Sequence, residues 1–296
     1  MQPDIYQSHI DRAIDKAKIL IEALPYIKEF SGKIVVIKYG GSALINEEIK
    51  NTVMQDIALM KLVGLKPVVV HGGGPDINET LKRLGIESAF VGGLRVTTPE
   101  TMEVVEMVLA GRLNKTIMSA LALAGVKTVG ISGKDGGTLR VRRKRSDDGL
   151  DLGLVGEVES VDTGLIQTLL DSDFVPVIAP VGVGEAGESY NVNADHAAVS
   201  IAGALRAEKL VYVTDVEGVL HDVNDKNSLI TRLSASRVQS LIDNGTISGG
   251  MIPKALCCVA GVEAGVNSVH ILDGRVEHCL ILEIFTRSGV GTLIER

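Results

Sequence analysis

Lys33-Ile34-Val35-Val36-Ile37-Lys38-Tyr39-Gly40-Gly41-Ser42 and, further on, Pro67-Val68-Val69-Val70-His71-Gly72-Gly73-Gly74-Pro75-Asp76 decide how this chain folds. Each is a continuous apolar run that ends in a glycine loop and opens onto a helix-like stretch. Runs without polar alternation are expected of parallel strands covered on both faces. Val126–Ile131, Phe174–Ala179, Leu210–Thr214 and Ser268–Leu272 read the same way. Between them, 3.6-residue periodicity predicts helices over Glu47–Val63, Asp76–Leu84, Thr98–Ala124, Asp195–Ala207, Ser234–Asn244 and Pro253–Ala264. Strand–helix alternation along the chain predicts an α/β sandwich with a mainly parallel sheet. Two segments depart from it. Residues 8–24 form an amphipathic helix on Ile10, Ala13, Ile14, Ala17, Leu20, Ile21 and Leu24, which Pro25 stops or bends. Residues 138–160 read as a hairpin turning at Asp147-Asp148-Gly149, with five basic residues within Arg140–Arg145. That basic arm either holds an anion or is solvated and balanced by Asp147, Asp148 and Asp151.

Composition narrows the function. The chain has 296 residues, 45% of them hydrophobic, and 33 glycines without a fixed period, which excludes disorder and collagen-like repeats. With 30 Lys+Arg against 37 Asp+Glu the net charge is −7, against the basic face that nucleic-acid binding needs. Cys257, Cys258 and Cys279 lack C-x-x-C spacing, so neither a metal site nor a disulfide framework is expected, and a reducing cytoplasm fits. Asp4, Asp11, Asp15 and Glu22 rule out a signal peptide at the start. The run from Phe174 to Val183 is too short to span a bilayer and is broken by Pro176 and Pro180.

Four loops carry chemistry. The Gly40-Gly41 and Gly72–Gly74 loops match neither a Walker A nor a GxGxxG pattern, yet both lie at carboxyl ends of strands, where open α/β sheets bind ligands. Their glycines let backbone amides approach phosphate oxygens, and Lys38 adds a point charge. A pair of tight turns is the plainer reading. Asn191, Asn193 and Asp195 alternate before a helix: one suffices as a cap, whereas three on one side of an extended stretch suggest a site. Lys254 follows Gly249-Gly250 at a helix start, where a cation opposes the dipole unless an anion neutralises it. Arg95 precedes a long helix and has the geometry to clamp a carboxylate, or is a surface arginine.

Taken in order, KYGGS (38–42), VVVHGGGP (68–75), GLRVTTPETMEVVEMVLAG (93–111), NVNADHAA (191–198), VTDVEGV (213–219) and GGMIPK (249–254) resemble the N-acetylglutamate kinases of arginine biosynthesis, within the amino-acid kinase superfamily. The resemblance covers residues 31–296. It implies a three-layer αβα sandwich of two lobes: an assembly helix over 1–30, an amino-acid-binding lobe over 31–206, and a nucleotide-binding lobe over 207–296 that also carries arginine-site elements. The implied reaction phosphorylates the side-chain carboxylate of N-acetyl-L-glutamate with ATP and Mg²⁺. Lys38 and Lys254 would contact the transferring phosphoryl group, held by Asp195. Gly40 and Gly41 would cradle phosphate oxygens, as would Gly73 and Gly74, which lie beside the substrate. Arg95 and Asn191 would bind its α-carboxylate, while Thr214 and Asp215 would line the nucleotide site. The N-terminal helix and the C-terminal stretch look like the arginine-inhibited branch, with His270, Glu283, Ser288 and Gly289 at the inhibitor site. The same branch implies a hexamer, a trimer of dimers joined by exchanged helices; an intramolecular packing helix is the simpler alternative. Some relatives also bind a PII-type signal protein, which no feature here decides.

The chemistry suits such a site. A carboxylate nucleophile with a pKa of about 4.3 is already ionised near neutrality, so no general base is required. Positioning and charge neutralisation then carry catalysis, with Asp195 an orienter rather than a base. His71 is the base candidate visible near the loops. Aspartate, glutamate, carbamate or nucleotide monophosphate kinases of the same fold are alternatives, as is a catalytically silent sensor; the sensor would be marked by loss of Lys38, Asp195 or Lys254, all of which are present.

Overall fold

The computed structural model describes residues 3–40, 47–146, 149–286 and 289–296. Its core is an eight-stranded sheet. In chain order the first elements are α1 (Pro3–Phe30), β1 (Ile34–Tyr39), α2 (Glu47–Leu62), β2 (Lys66–His71) and α3 (Gly74–Leu84). A small hairpin, β3 (Phe90–Val91) and β4 (Leu94–Arg95), precedes α4 (Pro99–Glu106), a π-helical segment Met107–Leu113, and α5 (Asn114–Leu123). Next come β5 (Thr128–Ser132), the long hairpin β6 (Leu139–Arg145) and β7 (Asp151–Val161), α6 (Gly164–Asp171), β8 (Val175–Ala179), β9 (Val181–Val183), β10 (Ser189–Val192) and α7 (Ala194–Ala204). The chain ends with β11 (Lys209–Thr214), β12 (Arg232–Ser234), α8 (Ala235–Asp243), α9 (Met251–Glu263), β13 (Ser268–Asp273), α10 (Cys279–Phe285) and β14 (Thr292–Glu295).

Strand order is β12-β14-β13-β11-β1-β2-β8-β5, parallel throughout except for the β13–β14 pair. Sequence alternation inside the apolar runs sorts the two faces. Val36 of β1, Val68 and Val70 of β2 and Leu210 and Tyr212 of β11 pack into one core with α7, α8 and α9. Val35, Ile37 and Tyr39, with Val69, Val211 and Val213, pack into the other with α2, α5 and α10. Both faces are covered, which is why the strands read as unbroken apolar runs. β6, β7, β9 and β10 close into a small barrel beside the sheet.

The six predicted strands lie within two residues of the observed ones. Two local expectations change, and a third is met in part. The N-terminal helix continues through Pro25 to Phe30, so Pro25 does not stop it, the first of the two expectations for that residue. The stretch predicted as one helix over Thr98–Ala124 is interrupted by the π-helical segment, a distortion that often marks a site. The hairpin over 138–160 is present, while Asp147 and Asp148 of its expected turn lie outside the described residues.

β1 lies between β2 and β11, and pairs in register with both. The carboxyl ends of β1, β2 and β11 therefore meet at one edge, the crevice where sheets of this type place ligands.

Candidate active site

Three charged side chains from three elements converge at that edge. Lys38, on β1, places its Nζ 2.8 Å from Oδ1 of Asp195. The pair is largely enclosed, with side-chain exposures of 12% and 23%. Asp195 sits in the first turn of α7, where a carboxylate is favoured by the helix dipole. Burial by itself raises its pKa, but the charge and hydrogen bond of Lys38, together with Lys254, outweigh that and leave it below the ordinary value. Lys254, in the first turn of α9, donates from Nζ to Thr214 Oγ1 at 3.0 Å, and Thr214 in turn donates to Asp215 Oδ1 at 3.3 Å. The Tyr212 hydroxyl holds the backbone carbonyl of Asp195 at 3.3 Å.

A side chain would be crowded at two of the loop glycines, Gly40 and Gly73. Gly72 N donates to Tyr39 O at 2.9 Å, which brings the two loops together. A Cβ on Gly40 would lie 2.8 Å from Lys38 Nζ, so the loop stays bare where the ammonium folds over it. A Cβ on Gly73 would run into the methyl groups of Leu109 and Leu113, both from the π-helical segment. Gly74 has open space where its Cβ would be. Gly41 lies outside the described residues.

Beside the charged cluster is a cavity of ≈170 Å³ lined by Gly72–Gly74, Arg95, Asn191 and the apolar side chains of Ile77, Phe90, Leu94, Leu109 and Val155. Arg95 is buried at its rim: one amino group donates to Ser88 Oγ, the other to Gly74 O at 3.3 Å, and the guanidinium stacks 4.7 Å above the Phe90 ring. Asn191 donates to Thr97 Oγ1 at 3.2 Å, and Thr97 Oγ1 donates to Arg95 O at 2.9 Å. A second, larger cavity of ≈370 Å³ adjoins it and is lined by Gly93, Lys144, Asn193, Asp195, His196, Gly250 and Lys254. Gly93, Leu94 and Asn193 border both spaces. An amino-acid-sized group and a charged chain can thus lie end to end, with Asp195 and Lys254 on the wall of the larger space.

The structure changes how the 191–195 segment works. Asn191, Asn193 and Asp195 do not point one way along an extended stretch, because β10 ends at Val192. Asn193 is the α7 cap and accepts from the amides of Asp195 and His196 at 2.9 and 3.2 Å. Asp195 reaches Lys38 from the helix instead. His71 is no base: its ring is fully buried, Nδ1 donates to Gly72 O at 2.9 Å and Nε2 accepts from Asn114 at 3.3 Å. Burial pulls its pKa down to about 4. Asn114 also donates to Ile131 O and Val177 O, pegging β2, β5 and β8 together. Neither Asn114, Thr97 nor Ser88 stood out in the sequence, because each acts through a partner distant along the chain.

On the far side of the sheet, a cavity of ≈360 Å³ gathers Glu29 and Phe30 of α1 with Lys209, Arg232, His270, Glu283 and Gly289. His270 Nδ1 donates to Glu283 Oε1 at 2.7 Å, and Glu283 Oε2 accepts from the amides of Val290 and Gly291 at 2.7 and 3.2 Å. Burial lowers the His270 pKa, and the neutral ring accepts at Nε2 from Ser268 Oγ, 3.0 Å away. Lys209 lies over the Phe30 ring at 4.7 Å. Ser288 is outside the described residues, and Lys209 and Arg232 are charges of this cavity that the sequence did not reveal.

This is the architecture of a phosphotransferase: glycine loops, two lysines and a carboxylate paired with one of them at the carboxyl edge of a parallel sheet. Residues 33–273 match the model of the amino acid kinase family. Along nearly its whole length the chain is similar to acetylglutamate kinases: 54% identity to that of Heliobacterium modesticaldum over 96% of this chain and 99% of the relative, and 57% to that of Caldanaerobacter subterraneus over 94% and 93%. The chain belongs to the amino acid kinase family and, within it, to the acetylglutamate kinases. Among solved structures, an N-acetylglutamate synthase from Neisseria gonorrhoeae complexed with coenzyme A and N-acetyl-glutamate superposes with a TM-score of 0.84 at 29% identity; the match covers 95% of this chain and 63% of the synthase chain. Carbamate kinase from Giardia lamblia shares the fold at a TM-score of 0.67 and 16% identity, over 90% of this chain and 99% of that one.

Proposed function

We propose that the chain transfers the γ-phosphoryl group of ATP to the side-chain carboxylate of N-acetyl-L-glutamate, giving N-acetyl-L-glutamyl 5-phosphate for arginine biosynthesis in the cytoplasm. The observation that carries this reading is the Lys38–Asp195 pair with Lys254 at the larger cavity, which adjoins the pocket of Arg95 and Asn191. Arg95 and Asn191 take the α-carboxylate, and the apolar wall of Ile77, Leu109 and Val155 leaves room for an acetyl group. Gly73 and Gly74, with Gly40 and Gly41 on the first loop, offer backbone amides to phosphate oxygens. Thr214 and Asp215 border the nucleotide. Lys38 and Lys254 neutralise the charge that builds between the two anions as the phosphoryl group passes. Asp195 fixes both ammonium groups rather than removing a proton. Mg²⁺ enters with the nucleotide as part of the substrate complex; among the described residues no cluster of three metal-ligating side chains exists to hold one independently. Trapping the acyl phosphate with hydroxylamine tests the reaction: hydroxamate is expected from N-acetylglutamate and far less from glutamate or aspartate. No hydroxamate from N-acetylglutamate would overturn the reading.

The cavity of His270, Glu283 and Gly289 supports L-arginine as feedback inhibitor. Its anionic wall, Glu29 and Glu283, suits a guanidinium, and Lys209 and Arg232 suit a carboxylate. Tyr26, Glu29 and Phe30 of α1 form part of that wall. Further up the same helix Ile14, Ile19, Leu20, Ile21 and Leu24 are exposed, a face suited to exchange with a second copy and so to a hexamer built as a trimer of dimers. Deleting residues 1–25 is expected to lower both the particle mass and the sensitivity to arginine; unchanged values of both would sink this part.

A further inference from the structure

We propose that Lys144, on the basic hairpin, is a further phosphate-binding residue of the active site and grips the nucleotide's phosphate chain from the wall opposite Lys254. The proposal rests on the reading that the larger cavity takes the nucleotide phosphates. β6 begins with regular alternation: Leu139 and Val141 inward, Arg140 and Arg142 outward. Between Arg143 and Arg145 the pairing slips, and the partner on β7 moves from Gly156 to Asp151. Alternation breaks there, as it does at bulges, leaving Arg143 exposed and Lys144 half-buried against the cavity.

Two other cations of the arm, Arg142 and Arg143, are occupied elsewhere. Arg142 donates twice to Glu157 Oε2, at 2.9 and 2.7 Å. Arg143 grips both oxygens of Asp151 at 2.7 and 2.8 Å and the carbonyl of Gly153 at 3.0 Å. Among the described residues Lys144 pairs with the second oxygen of Glu157, 4.0 Å away, at the outer limit of an ion pair. It lines the ≈370 Å³ cavity together with Asp195, His196 and Lys254.

Charge argues for an anion there. With Lys38, the site gathers three ammonium groups against Asp195, paired with Lys38, and the more distant Glu157, which Arg142 already holds. His196 does not add to the positive charge, since burial and then Lys144 itself push its pKa down, against Asp195 and Glu157. Lys144 and Lys254 on the wall of this cavity, with Lys38 bound to Asp195 beside it, focus a positive field suited to a polyphosphate. A lysine on a flexible stem meets phosphate oxygens as a point charge without fixed geometry. The arm is also anchored. Leu154 N donates to Thr97 O at 2.6 Å and Thr97 N to Leu152 O at 2.9 Å, so β7 is stitched to the segment that carries Arg95. Gly153, at φ +75°, allows this approach; a Cβ there would collide with the Thr97 backbone. Lys144 is thus held at a set distance from the amino-acid pocket, where the end of the phosphate chain must lie.

The test is titration of MgATP into wild type, Lys144→Met, Lys144→Gln and Lys144→Arg, with steady-state kinetics on each. Loss of one charge-assisted contact is expected to weaken MgATP binding and raise its KM about tenfold in the Met and Gln variants. The KM for N-acetylglutamate should stay within about twofold, the salt dependence of nucleotide affinity should become shallower, and Lys144→Arg should recover most of the loss. Nucleotide affinity within about twofold of wild type in both neutral variants overturns the proposal, as does a loss confined to N-acetylglutamate or one that arginine fails to restore. Lys38→Met, run in parallel, separates the two readings. If it abolishes turnover while Lys144→Met behaves as wild type, the site stands and Lys144 falls; if it leaves turnover intact, the reading of the site itself falls.

Discussion

Replacing Asp195 with Asn keeps the side chain's shape and removes one charge from a pair whose nitrogen and oxygen are 2.8 Å apart. At an effective dielectric constant of ~20, Coulomb's law gives about 6 kcal/mol of gross attraction at that distance. Desolvation of both groups offsets much of it, and the net cost of removing one partner from an enclosed pair is about 3–5 kcal/mol, here near the lower end because Asp195 is 23% exposed. The catalytic effect should be of similar size but differently distributed. Lys38 remains present but unfixed, Lys254 keeps its hydrogen bond to Thr214, and loss of one preorganised electrostatic contact lowers kcat by about 10²–10³-fold. Nucleotide affinity should not fall, because a negative charge has left a site that binds an anion. The assay combines hydroxamate initial rates with calorimetric binding of a non-hydrolysable ATP analogue. A kcat within threefold of wild type, or an analogue affinity that drops in parallel with kcat, refutes the orienting role. The pH dependence has a definite sign. Asp195 has a folded-state pKa below its ordinary value of 3.8, so its contribution to stability is complete above that value and disappears as pH falls through the folded one. The stability gap between wild type and Asp195→Asn should be flat from about pH 5 upward and close only in acid.

Three further outcomes follow from the geometry. Gly73→Ala must push aside Leu109 and Leu113 and should lower the melting temperature, whereas Gly74→Ala meets open space and should melt like wild type while weakening N-acetylglutamate binding, since its methyl group enters ligand volume; equal affinity in Gly74→Ala would remove Gly74 from the substrate pocket. The pH profile of kcat/KM should carry no limb between pH 6 and 8 attributable to His71, whose pKa lies at about 4; a limb there that vanishes in His71→Asn would defeat the assignment of that ring to structure. Glu283→Gln places an NH₂ group against either the His270 N–H or the Val290 and Gly291 amides, so it should cost about 1–3 kcal/mol of stability and raise the arginine concentration for half-inhibition at least tenfold. Undiminished arginine sensitivity in this variant would rule Glu283 out of the inhibitor site.

What could be read from the sequence was whatever is determined locally. The strands of the central sheet were legible because burial on both faces forces unbroken apolar runs, and the glycine loops because their positions follow from strand ends. β9 and β10 were not legible: they are short, and their stability comes from barrel closure with β6 and β7. α6 and α10 span only 8 and 7 residues, too few for a periodic signal. At the site, Lys38, Asp195 and Lys254 each raised a local anomaly, a charge beside a glycine loop or against a helix dipole. Thr97 and Asn114 raised none. Thr97 matters because it joins Arg95 to Asn191 across 94 positions of sequence, and Asn114 because it ties three strands at their ends. Lys144 is the intermediate case: the basic run was visible, but only the slipped register of β6 against β7 singles out which of its cations faces inward.

The histidines bear on which acceptor the site is built for. A kinase acting on an alcohol has to deprotonate its nucleophile, and general-base catalysis needs a group with a pKa near the working pH in reach of that proton. His71 is nearest the glycine loops, yet both ring nitrogens are engaged and its pKa is about 4. His196 lies on the wall shared with Lys144 and Glu157, and is not among the residues that line the pocket of Arg95 and Asn191. Asp195, with its pKa depressed and its charge committed to Lys38, is a weaker base than an ordinary carboxylate. Among the described residues, then, the groups around the acceptor pocket are arranged to attract and hold anions, not to accept a proton. That is the arrangement a nucleophile requires when it arrives already ionised, and it suits a carboxylate acceptor better than a hydroxyl one.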